Sequence, residues 1–333
     1  SFGCDATLPF EYAVNVNARP VPTISGNNNL CVSTSGVVYT TEAGMSNYAW
    51  TVSAGGTVSS GGSSTDNTIT IIWNTPGPQT VSVNYTDLAG CAAVLPYEYP
   101  VTVVAEPVPT ISGLDAVCEG TTGVVYTTES GKSSYSWSVS AGGTITSGGT
   151  SSDNTATVSW STVGAQSVSV NYSNGVCSAI SPVSYNVTVE PRPLPTISGS
   201  DFVCALSTGL VYTTQTGMSN YTWTVSAGGT ITAGGTSIDN TVTVTWNTAG
   251  AQYVEVNYTS GICSAVNPTN YPVTVGGGYS PSIIGDNLPC IGATGVVYTT
   301  EAGMTNYSWT VSAGGAVTAG GGATDNTVTV TWN

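Results

Sequence analysis

The sequence repeats itself about every 86 residues. The segment PTISG at 22–26 returns at 109–113 and 195–199, and again as PSIIG at 281–285. Spacings of 87, 86 and 86 residues separate one set of four cysteines and one set of four tryptophans: Cys31, Cys118, Cys204 and Cys290, and Trp50, Trp137, Trp223 and Trp309. A unit of this length is too long for a solenoid repeat. It suits one small, self-contained sandwich domain per period.

Each period is predicted to consist of short strands. Apolar and polar residues alternate along these segments, and no segment shows helical periodicity. A Gly-rich hairpin over 54–64 is expected to turn at Gly55-Gly56 and Gly61-Gly62. The fold class is therefore all-β, a tandem array of sandwich domains. In the first repeat the predicted strands are Thr23–Ser25, Val37–Thr41, Tyr48–Ser53, Thr68–Trp73, Thr80–Thr86 and Tyr97–Val104.

Proline-rich junctions mark the domain boundaries, since proline favours extended, semi-rigid connections. Complete repeats are predicted at 20–106, 107–192 and 193–279, with a partial repeat at 280–333. Residues 1–19 are interpreted as the C-terminal strand of a preceding repeat, because Tyr12–Val16 aligns with Tyr271–Val275. We therefore expect the chain to be part of a longer polymer.

Charge excludes two classes of partner. The chain has 18 acidic residues and only 3 basic ones, which gives a formal net charge of −15. Nucleic-acid binding needs clustered lysine and arginine to replace counterions, and the same deficit argues against anionic membrane surfaces. No apolar run approaches the roughly 18 residues that a membrane-spanning helix needs.

The repeated motifs resemble those of a known domain family. They include Val37-Val38-Tyr39-Thr40-Thr41, the segment YAWTVSAGG at 48–56, and VNY at 83–85. Over its whole length the chain resembles the PKD-like, immunoglobulin-like repeats of large surface proteins and adhesins in Bacteroidota. The resemblance implies a seven-stranded sandwich, secretion to the cell surface, and a spacer or adhesive role. The family's common WDFGDG signature is replaced here by WTVSAGG at 50–56, which places the chain on a diverged branch.

No catalytic site is expected, and no cofactor. The chain contains no histidine and a single lysine, Lys132, so a serine hydrolase triad or a histidine-bound metal cannot be built. One acidic position of the repeat is Glu42, Glu129 and Glu301, but Gln215 in the third copy, which fits a surface role better than catalysis.

A second acidic position precedes Asn-Thr in every repeat. Its carboxylates are weak candidates for calcium, because hard oxygen ligands suit that ion, but a turn residue that caps local amides is favoured. The four residues are Asp66, Asp153, Asp239 and Asp325. The eight tryptophans, two per repeat, are predicted to pack in the cores rather than to bind sugars.

The regular cysteines indicate disulfides formed in an oxidising compartment. The favoured scheme joins cysteines within a repeat, as Cys31–Cys91, Cys118–Cys177 and Cys204–Cys263, with Cys4 and Cys290 pairing outside the chain. A rival scheme uses four pairs that are each 27 residues apart, such as Cys91–Cys118. The favoured scheme has a topological difficulty, since the two turns that carry the cysteines lie at opposite ends of a standard sandwich. Cys31 must fold back within its repeat, or its partner lies one domain further on.

These features predict a non-catalytic segment of an extracellular filament or surface adhesin stalk. Its expected partners are neighbouring repeats of the same polymer, with lateral self-association as a further option. The alternative is a glycan- or cell-binding module that uses the Gly-rich hairpins, Gly55–Asp66 and its copies.

Overall fold

The computed structural model describes residues 3, 8 and 10–333, so Cys4 lies outside the described residues. Within that part of the chain the secondary structure is all β, as the sequence predicts, with 25 strands and no helix. A helix able to cross a membrane is accordingly not found among these residues. The chain divides into two compact units, Ser1–Arg192 and Pro193–Asn333.

The first repeat has seven strands in two sheets. One sheet has the order β2-β5-β4, and the other has the order β1-β7-β6-β3. All pairs are antiparallel except β1 with β7, which run parallel. The strands are β1 (Asn29–Cys31), β2 (Val37–Thr40), β3 (Ser46–Val52), β4 (Gly56–Gly61), β5 (Thr68–Trp73), β6 (Gly77–Thr86) and β7 (Tyr97–Val104).

The second repeat completes the first unit with the same two sheets. Their orders are β11-β12-β9 and β10-β13-β14-β8. Its strands are β8 (Ala116–Cys118), β9 (Val124–Thr127), β10 (Ser133–Val139), β11 (Gly143–Gly148), β12 (Thr155–Trp160), β13 (Gly164–Ser173) and β14 (Val183–Glu190).

The second unit contains the third repeat and the described part of the fourth. The third repeat has sheets β16-β19-β18 and β15-β22-β20-β17, with β21 paired to β20. The fourth repeat has one sheet, β23-β25-β24. The strands are β15 (Phe202–Cys204), β16 (Leu210–Thr213), β17 (Ser219–Val225), β18 (Gly229–Gly234), β19 (Thr241–Trp246), β20 (Gly250–Ser260), β21 (Cys263–Ser264), β22 (Thr269–Gly276), β23 (Val296–Thr299), β24 (Gly315–Gly320) and β25 (Thr327–Trp332).

Period-two alternation places the core between the two sheets of each repeat. In β12 every second residue is buried, ending at Trp160. The indole N–H of Trp160 donates to the Tyr126 hydroxyl at 3.2 Å, and the two rings meet edge to face. The same Trp–Tyr pair occurs in every repeat; it is buried in the three complete repeats and partly buried in the fourth.

Two details differ from the sequence prediction. The predicted first strand, Thr23–Ser25, is reduced to a single bridge between Ser25 and Thr40, and β1 supplies the first strand instead. Within the Gly-rich hairpin, Gly61 and Gly62 adopt positive φ as expected, but Gly55 and Gly56 do not. Gly56 begins β4 and lies against the Trp73 ring, where a Cβ would come within 2.8 Å of an indole carbon. The turn at Ala54-Gly55 is present, closed by the Gly56 amide donating to the Ser53 carbonyl at 3.0 Å, but it needs no positive φ, and glycine is required here for close packing.

Candidate functional site at the junction between repeats

Cys31 lies at the end of the first repeat where the chain continues into the second repeat. It is the last residue of β1, and β1 pairs in parallel with β7 so that Cys31 is opposite Val104. Val104 is the last residue of β7, and the proline-rich linker to the second repeat follows it. The parallel pairing therefore places Cys31 beside the exit of the chain.

The second repeat contributes the hairpin between β13 and β14. The amide of Asn174 donates to the Cys177 carbonyl at 2.9 Å, and the Cys177 amide donates to Asn174 Oδ1 at 2.8 Å. These two bonds close a tight loop and fix the direction of the Cys177 side chain, which is fully buried.

A disulfide joins the two repeats between Cys31 and Cys177. Their Cα atoms are 5.4 Å apart, within the range that a disulfide requires. Cys177 Sγ also lies 3.4 Å from the Val104 carbonyl oxygen, and the Asn174 side-chain amide donates to the Ala105 carbonyl at 3.0 Å. The junction therefore combines a covalent bond with a polar contact to the start of the linker.

The within-repeat disulfide scheme predicted from the sequence is wrong. Cys31 bonds Cys177 of the next repeat, which excludes both Cys31–Cys91 and Cys118–Cys177. Cys31 aligns with the last residue of β7, whereas Cys91 precedes its first residue, Tyr97. Eight extended residues at about 3.3 Å each separate the two cysteines by roughly 25 Å. The alternative that the partner lies one domain further on is the correct one.

The remaining described cysteines fall into two groups. Cys118 and Cys263 are disulfide-bonded. Cys91, Cys204 and Cys290 carry free thiols, which excludes the Cys204–Cys263 pair and the rival pair Cys91–Cys118. Cys204 and Cys290 are exposed, and Cys91 is half-buried.

A glutamate in the first, second and fourth repeats holds the segment that follows the linker, a role that the sequence did not reveal. The amide and the hydroxyl of Thr110 both donate to the Glu129 carboxylate, as do the hydroxyls of Thr128 and Tyr172. Burial of Glu129 acts to raise its pKa, but the hydrogen bonds from Thr110 and Thr128 outweigh it and lower the pKa to about 2. Gln215 makes the equivalent contact to Thr196 without a charge.

Attachment of the linker is therefore expected to weaken in acid at Glu129 but not at Gln215. The Glu129 pKa is about 2 in the folded state against 4.5 ordinarily, so its contribution is present above pH 4.5 and is lost as the pH falls towards 2. For a half-buried carboxylate we expect the hydrogen-exchange protection of the Thr110 amide to fall about fivefold between pH 6 and pH 3.

Two variants provide matched controls for this pH dependence. Glu129→Gln should remove the acid-dependent fall in hydrogen-exchange protection of the Thr110 amide. Gln215→Glu should create such a fall at the Thr196 amide. An equal fall at Thr110 in the native chain and in Glu129→Gln would contradict the assignment.

The repeated aspartates are turn residues in the structure. The amide and hydroxyl of Thr150 donate to the Asp153 carboxylate at 3.1 and 2.5 Å, and these bonds lower its pKa. The backbone carbonyl of Asp153 accepts the indole N–H of Trp137 at 2.9 Å. The other three, Asp66, Asp239 and Asp325, each accept the corresponding backbone amide of their own turn. Among the described residues no group of three or more acidic or cysteine side chains gathers into a metal site.

The tryptophans occupy two kinds of position. Trp73, Trp160 and Trp246 are fully enclosed, and Trp137 and Trp223 are buried. Trp50, Trp309 and Trp332 are only partly buried. In the fourth repeat, Trp309 and Val311 line an open cavity of about 290 Å³. Core packing is therefore confirmed in the three complete repeats.

Comparison with known proteins identifies the domain type. The family model described as "PKD-like domain" matches four times, at residues 17–98, 104–187, 190–273 and 279–333. A comparison with curated protein sequences finds no match.

Similar solved structures have low sequence identity to this chain. The Escherichia coli adhesin FdeC is 19% identical with a TM-score of 0.35, covering 77% of this chain and 96% of its own. Invasin, a bacterial integrin-binding protein, is 13% identical with a TM-score of 0.32, covering 94% and 74%. Protocadherin gammaB7 is 12% identical with a TM-score of 0.34, covering 84% and 83%.

Proposed function

Because the chain belongs to the PKD-like domain family, we propose that it is a non-catalytic, load-bearing repeat segment of an extracellular filament or adhesin stalk. The observation that carries the proposal is the disulfide from Cys31 to Cys177 of the next repeat. Disulfides persist outside the cell and in other oxidising compartments, which supports an extracellular location. The absence of histidine from the sequence supports a role without acid–base catalysis.

The position of this disulfide suits mechanical load. Tension applied along the chain enters near Cys31, crosses the sulfur–sulfur bond, and leaves after Cys177. The residues between them are bypassed, and they include β2 to β13, most of two cores. While the disulfide is intact, unfolding of these strands therefore cannot separate Cys31 from Cys177.

Single-molecule pulling from the two ends of the chain tests this role. Both chains that are compared carry Cys118→Ser and Cys263→Ser, because these two cysteines are also disulfide-bonded and would shorten either chain. Cys31 and Cys177 are 146 positions apart, so at about 3.5 Å per extended residue the chain that keeps their bond should extend roughly 500 Å less than the chain that also carries Cys31→Ser/Cys177→Ser. Cys91→Ser, which removes a free thiol, is the matched control and should extend like the chain that keeps the bond. Equal full extension of the chains with and without the bond would refute a load-bearing disulfide.

A further inference from the structure

Cys91 lies in a hairpin with the hydrogen bonds that hold Cys177. The Asp87 amide donates to the Cys91 carbonyl at 3.0 Å, and the Cys91 amide donates to Asp87 Oδ1 at 2.8 Å. The corresponding distances at Cys177 are 2.9 and 2.8 Å. The hairpin of the first repeat therefore holds its cysteine with the same pair of hydrogen bonds as the second repeat, in a loop that is one residue longer.

Cys290 likewise matches Cys31. The loop after Cys31 is closed by a bond from the Thr34 amide to the Cys31 carbonyl, at 3.2 Å, and by one from Ser33 to the Trp73 carbonyl, at 2.7 Å. After Cys290, the Ala293 amide donates to the Cys290 carbonyl at 3.0 Å, and Gly292 donates to the Trp332 carbonyl at 2.8 Å. Cys290 is nevertheless an exposed free thiol.

We propose that Cys290 of one chain forms a disulfide with Cys91 of a second copy of this chain. The observed bond joins the cysteine at the end of the first strand of one repeat to the hairpin cysteine of the following repeat. By the repeat spacing Cys290 of the fourth repeat corresponds to Cys31, although no strand ends at it, and Cys91 is the hairpin cysteine of the first repeat. Placing the first repeat of a second copy after the fourth repeat of the first copy brings the free thiols of Cys290 and Cys91 together.

The chemistry is an ordinary thiol oxidation by thiol–disulfide exchange. The two thiols lose two protons and two electrons as the sulfur–sulfur bond forms, and a disulfide oxidant such as oxidised glutathione accepts both and becomes two thiols. This inference rests on the proposed filament role, since it names the partner that continues the load path. It can nevertheless fail separately, because the bond between Cys31 and Cys177 does not depend on it.

The test uses the full chain carrying Cys4→Ser and Cys204→Ser, so that Cys91 and Cys290 are the free thiols that remain. In buffer containing oxidised glutathione we expect a ladder of covalent oligomers on non-reducing gels. Peptide mapping by mass spectrometry should recover Cys290 linked to Cys91. Adding Cys91→Ser or Cys290→Ser to this chain should leave monomer, whereas mixing those two variants should give a covalent dimer and nothing larger.

The contrary results are equally definite. Monomer throughout, or dimers formed by either single variant alone, would overturn the proposal, because the second result means indiscriminate thiol pairing. Linkage of Cys290 to a cysteine other than Cys91 would do the same. If the chain that keeps the bond between Cys31 and Cys177 still shows the shortened extension under load, the proposed function survives any of these failures.

Discussion

Replacing Cys31 and Cys177 together with serine is expected to cost the first two repeats roughly 5 kcal/mol of unfolding free energy in the chain-entropy model, for a loop of 146 residues. The bond restricts the unfolded chain most when both repeats are unfolded. It should therefore couple them, so that the native first unit unfolds in one transition at higher denaturant. The double-serine variant should unfold in two independent steps.

Guanidinium unfolding, followed by hydrogen exchange in β5 and β12, measures the unfolding transitions of the first and second repeats separately. The matched control is Cys204→Ser, which changes an exposed free thiol and should shift neither transition. Coincident midpoints in the native and double-serine chains would show that the junction contributes no stability. The serine variants are preferable to a reductant, because Cys118 and Cys263 are also disulfide-bonded.

Strand pattern and core were predictable because they depend on local periodicity. The inward set Ile69, Ile71 and Trp73 follows from alternation along one strand, and all three are buried. The same alternation in β6 turns Val81, Val83 and Tyr85 inward, and all three are buried. Because the sequence repeats closely, the same inward positions apply to the corresponding strands of the other repeats.

The disulfide pairing and the glutamate contact were not predictable in this way, because both depend on which ends of the strands meet. The spacing of the cysteines is compatible with several schemes. The parallel pairing of β1 with β7, which places Cys31 at the exit of its repeat, leaves no local signature. The contact of Glu129 with Thr110 joins residues 19 positions apart. A sequence signal existed nonetheless, since the replacement at Gln215 keeps a side chain that can accept the same amide hydrogen bond.

Trp160→Ala is expected to destabilise the second repeat by about 3–5 kcal/mol, at the upper end for a single core substitution. The side chain is 1% exposed, and its loss also leaves the Tyr126 hydroxyl without its indole donor. The β11 backbone packs directly on the ring at Gly143, where no side chain is available to fill the cavity.

Trp309→Ala is the matched control for this prediction. Because Trp309 is only partly buried and lines an open cavity, its removal should cost the fourth repeat distinctly less. Hydrogen exchange in β12 and β25 reports the two repeats separately, and an equal or larger loss at Trp309 would show that enclosure of the indole does not determine repeat stability.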